Sequence, residues 1–64
     1  MNDKLKSKLL LGKFKSAYSP LYEEYVKIFK VRQDENGELI IDATIFSNPG
    51  EIVLFRQTEL ERFE

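Results

Sequence analysis

A chain of 64 residues that contains neither Cys nor His excludes disulfides, thiolate or imidazole metal sites, and nucleophiles activated by a His base. At this length folding buries only about 60% of the surface that the unfolded chain exposes, so a core worth roughly 3 to 5 kcal/mol is expected, helped by good packing or a partner chain. With 42% hydrophobic and 33% charged residues and only three Gly and two Pro, the composition is that of a folded domain and not of a disordered tail. One domain over residues 1–64 is expected.

The net charge of -1 conceals an asymmetry. Residues 1–32 hold eight Lys or Arg against Asp3, Glu23 and Glu24, whereas residues 33–64 hold Arg56 and Arg62 against eight carboxylates. Neighbouring strands that place opposite charges together account for such a split, and so does a basic partner-binding face. Lys4, Lys6 and Lys8 precede Leu9-Leu10-Leu11 in the manner of a secretory leader, but Gly12 and Lys13 end the apolar run too early. A cytoplasmic protein is the expectation.

In chain order, residues 1–20 leave order and partial flexibility both open. Residues 8–16 could form a short strand containing Lys13-Phe14-Lys15, or Asp3 to Leu11 a helix ended by Gly12. Ser19-Pro20-Leu21-Tyr22-Glu23-Glu24 reads as a helix start, with Ser as cap and Pro in the first turn. Residues 21–31 fit helical spacing as well as alternation. The β-branched and aromatic content of Tyr25 to Val31, and the need of the following turn for a partner strand, select a strand.

That turn is the strongest local signal. Asn36-Gly37 lies between Tyr25–Val31 and Leu39–Phe46, two runs rich in β-branched and aromatic residues, and predicts a hairpin. A two-residue loop would mix apolar and charged residues on both faces. A three-residue loop, Glu35-Asn36-Gly37 with Gly37 at φ > 0, separates them. It sets Val31 opposite Ile41, Phe29 opposite Ala43 and Lys30 opposite Asp42, with Leu39, Ile45 and Tyr25 on the Val31 side. Ser47-Asn48-Pro49-Gly50 then suits a type II turn, followed by a strand from Glu51 to Arg56. Thr58-Glu59-Leu60-Glu61 reads as a capping box opening one closing helical turn, with Leu60 and Phe63 directed inward.

Taken together, Tyr25 and its strand, Asn36-Gly37-Glu38, and Leu54-Phe55-Arg56 followed by Glu59-Leu60-Glu61-Arg62-Phe63 resemble a small uncharacterised bacterial family of SH3-like barrels. The final strand of that family reads aromatic-Val-Arg-Pro-Leu-Glu-Met-Phe. The resemblance spans residues 25–64 and implies a compact barrel, with no activity attached to it. The fold class expected is therefore mainly β: a small antiparallel sheet, or an SH3-like partly open barrel, with a C-terminal helical turn. The alternative is α+β, an N-terminal helix packed on a three-stranded antiparallel sheet.

No catalytic, cofactor-binding or metal-ligating set is evident. Ser7, Ser16, Ser19 and Ser47 lack an activating His, and Glu23-Glu24 and Glu59/Glu61 have no cleft in which to converge. Gly12-Lys13 fails as a phosphate loop, because Ser7 and Phe14 stand where Gly and Ser or Thr are required. Leu5 and Leu9 among lysines give an apolar face only two turns long, too little to expect a membrane partner.

The candidate binding surface is Lys13, Phe14, Lys15 and Tyr18, joined by Lys27, Lys30 and Arg32. Small barrels bind single-stranded nucleic acid through aromatics beside cations, which makes nucleic acid a possible partner, although the sequence pI of about 5.4 weighs against it. A protein partner or a homodimer is expected first, with no small-molecule substrate evident. The function expected is a non-enzymatic protein-binding module, regulatory or inhibitory, of bacterial or phage origin. The alternative is a small barrel that binds single-stranded nucleic acid.

Overall fold

A computed structural model of the protein describes residues 3–64 and contains α1 (Asp3–Leu10), β1 (Ser16–Ser19), β2 (Glu24–Gln33), β3 (Leu39–Ile45), β4 (Asn48–Arg56) and a 3-10 turn at Gln57–Glu59. The chain is mainly β: one antiparallel sheet in the order β1-β2-β3-β4. No helix among the described residues is long and apolar enough to cross a membrane.

The helical alternative for the N-terminus holds, and residues 13–15 lie outside any strand. Leu5 and Leu9 share a face at i, i+4 spacing, and both pack on the sheet core. Gly12, at φ 73, ends the helix by a Schellman motif: the Lys13 N–H donates to the Lys8 carbonyl at 2.9 Å and the Gly12 N–H to the Leu9 carbonyl at 3.1 Å. Ser19 does act as a cap, its Oγ accepting from the Tyr22 N–H at 3.3 Å, but no helix follows. Glu24 pairs with Ser19 across a four-residue turn in which Glu23 takes φ 57, a conformation that ends helical propagation. The segment that fits either periodicity is thus a strand, β2, from Glu24 onward.

The β2–β3 hairpin has the three-residue loop. The Gly37 N–H donates to the Asp34 carbonyl at 3.0 Å, the Asp34 N–H to the Glu38 carbonyl at 2.9 Å, and Gly37 sits at φ 82. Asp34 adds its own carboxylate, whose Oδ1 accepts from the N–H groups of Asn36 (2.9 Å) and Glu38 (2.8 Å). Val31 pairs with Ile41 and Lys30 with Asp42, as the apolar pattern requires.

Phe29 does not pair with Ala43. A bulge between Ile28 and Lys30 places Ile28 there instead. Strict alternation back from Val31 would drive Phe29, Lys27 and Tyr25 into the core; the inserted residue inverts the parity, so Val26 and Ile28 enter and Lys27 stays in water. The cost of burying an unpaired ammonium decides the matter. Tyr25 accordingly lies on the outer face, ring to ring with Tyr18 at 5.3 Å.

On β3, Leu39, Ile41, Ala43 and Ile45 alternate inward as expected, and β4 adds Val53 opposite Ala43 and Phe55 opposite Ile41. The turn before β4 is Phe46-Ser47 rather than Ser47-Asn48-Pro49-Gly50, because Ile45 pairs with Asn48 and the strand begins there. Pro49 and Gly50 lie within a register irregularity of β4, and Pro, which lacks an N–H, is tolerated at such edge positions. The Ser47 N–H is held by Glu24 Oε1 at 2.8 Å.

The expected capping box at Thr58 is displaced upstream: Glu59 Oε1 accepts from the Arg56 N–H at 2.9 Å, and the turn is 3-10. Leu60 is buried and Phe63 packs on the core, but from irregular and extended backbone, with Arg62 at φ 54. This backbone lets residues 61–64 run along β1. Tyr18 and Glu61 exchange a pair of backbone bonds (2.7 and 2.9 Å), the Glu64 N–H donates to the Ser16 carbonyl at 2.8 Å, and the Lys15 and Ser16 N–H groups share the Glu64 carbonyl. The segment that follows the 3-10 turn therefore lies along β1, the opposite edge of the open four-stranded sheet, through one isolated bridge.

Candidate functional site

The seven residues singled out from the sequence divide among three environments. Lys13 and Lys15 are exposed on the segment between α1 and β1, and Lys27, Lys30 and Arg32 are exposed on β2. The two aromatic rings are not free. Phe14 packs against Phe63 with ring centroids 5.7 Å apart, and Tyr18 lies between Tyr25 and the Arg62 guanidinium, which sits 5.0 Å from its ring. Arg32 pairs with Asp42 at 3.3 Å, an exposed contact worth about 0 to 1 kcal/mol.

Phe14, Lys15 and Lys30 come together. They line a crevice of about 130 Å³ between the end of α1 and β2, with Leu10, Phe29 and Val31 as further walls. The backbone explains the convergence: the Ile28 N–H donates to the Lys15 carbonyl at 2.8 Å, which lays the segment after α1 beside the β2 bulge. Phe29, raised by that bulge, is 54% exposed, and Lys27 Nζ lies 5.3 Å from its ring centroid. Sequence reasoning missed Phe29 because unbroken alternation assigns it to the core. The available signal was the conflict of parity between Lys27 and Val31.

A second feature is the edge of β4. β4 pairs with β3 alone, and its outward Ile52 and Leu54 are 54% and 59% exposed. A third is an open hollow of about 480 Å³ bordered by Ser16, Glu24, Tyr25, Phe46 and Glu64. Among the described residues no three carboxylates gather closely enough to hold a metal ion. Comparison with family models, with curated proteins and with solved structures gives no match to the chain.

Proposed function

We propose that the chain is a non-enzymatic protein-binding module, a regulatory or inhibitory accessory protein of a bacterial or phage system, working in the cytoplasm by adding a partner's strand to its β4 edge. The observation that carries this reading is the edge itself: one long strand paired on one side only, with Ile52 and Leu54 exposed on its outer face. Backbone groups of an unpaired edge supply affinity in strand addition, and alternate side chains supply selectivity. The missing His and Cys favour a non-enzymatic role. The engagement of the Phe14 and Tyr18 rings favours a protein over a nucleic acid, which needs rings free for stacking. An SH3-like barrel lineage is part of the same proposal, supported by the return of residues 61–64 to β1 after the 3-10 turn.

Affinity capture from a bacterial lysate with the wild-type chain and with Leu54→Lys and Ile52→Lys tests this. A protein retained by the wild type and lost from both variants is the expected result. Retention of nothing above background, or equal retention by all three, refutes it. Sedimentation equilibrium separates a heterologous partner from a second copy of the chain on the same edge.

A further inference from the structure

The crevice between α1 and the β2 bulge lies apart from the β4 edge and has its own chemistry. We infer that it is a docking site for an acidic segment of a partner protein, one large apolar side chain seated among Leu10, Phe14 and Phe29 and flanking carboxylates meeting Lys15 and Lys30. The crevice, at about 130 Å³, falls well below the roughly 300 to 1,000 Å³ of small-molecule sites and suits a single side chain.

Charge complementarity selects the occupant. No acidic residue occurs from Lys4 to Tyr22 or from Tyr25 to Gln33, the stretches that supply the walls. Among the described residues, none of Lys13, Lys15, Lys27 and Lys30 enters an ion pair; the pairs present are Arg32 with Asp42 and Arg56 with Glu38. Asp42, which stands opposite Lys30 across the strands, is engaged by the Arg32 guanidinium, so among the described residues these four lysines have no ion-pair partner. Screening confines the resulting positive potential to about 8 Å at physiological salt, so its influence stays on this face. A single-stranded nucleic acid would find one exposed ring here, Phe29, where stacking along a strand uses successive rings.

This inference goes beyond the β4 reading and fails or stands separately from it. The probe is a fluorescein-labelled ten-residue peptide of alternating Glu and Ser with one central Phe. It is compared by anisotropy with the same peptide carrying Ser for Phe and with a ten-nucleotide oligo-dT. Saturable binding of the Phe peptide is expected, about tenfold or more tighter than the Ser peptide, which corresponds to about 1.4 kcal/mol or more. Phe29→Ser and Lys30→Gln should each weaken it about threefold or more with the melting curve little moved, because both side chains are exposed and neither change sets a carboxylate opposite Asp42. Leu54→Lys should leave it unchanged. Amide shifts on binding should fall on residues 10–15 and 28–31. Absence of saturation, equal binding of the two peptides, tighter binding of oligo-dT, or shifts confined to β4 would each overturn the assignment.

Discussion

Gly37→Ala isolates the conformational requirement of the hairpin from every contact around it. Gly37 holds φ 82, and a Cβ built there would meet only Gln33 Nε2, at 3.7 Å, which is ordinary van der Waals contact. No clash enters, so the cost is that of placing an L-residue in the left-handed region, about 1 to 2 kcal/mol, less the smaller entropy of an unfolded chain without that Gly. A net loss near 1 kcal/mol corresponds to roughly 4 to 8 °C in Tm for a domain of this length. Gly50→Ala is the matched control: its φ is outside that region and its added Cβ meets nothing within 4 Å, so a change below about 0.5 kcal/mol is expected. Gly37→Asn should fall between them, because Asn tolerates this conformation better than Ala. Thermal unfolding followed by circular dichroism reads all three. Equal Tm values for Gly37→Ala and Gly50→Ala would show that the backbone of the turn does not carry the register.

Two further substitutions probe how the ends of the chain join the core. Leu9→Ala removes a side chain that is 1% exposed and should cost about 2 to 5 kcal/mol, a large share of the stability of so small a domain. Urea denaturation checks it, and a loss under about 1 kcal/mol would mean that α1 is not docked through Leu9. A double-mutant cycle of Phe14→Leu and Phe63→Leu should give a coupling of about 0.5 to 1.5 kcal/mol for the ring pair; additive effects would show that the two rings pack independently.

What the sequence disclosed was local. Asn36-Gly37 and the alternation of Leu39 to Ile45 are readable because a turn type and a period of two are properties of neighbouring residues. The Phe29 bulge is not of that kind: it arises from competition between Lys27 and Val26 for the core, settled only once the strand has a face to bury. Gly12 marked the helix end, yet nothing nearby told whether Leu9 would find a core to enter. The path of residues 61–64 depends on β1, far away in the chain, so Leu60 and Phe63 could be recognised as inward while their backbone could not. The same division holds at the site. The lysines were visible as a cluster, whereas the ring standing exposed among them, and the rings already occupied, follow from packing.

The clasp of residues 61–64 on β1 also orders events in time. β2, β3 and β4 are joined by short turns, so their hairpins can form with little loop-closure entropy and without waiting for the rest of the chain. Tyr18 and Glu61 meet only after nearly the whole sequence has been gathered. The contact that joins this segment to β1 is therefore expected to form late in folding, and amide exchange at these two residues should report its release while the central hairpin stays closed.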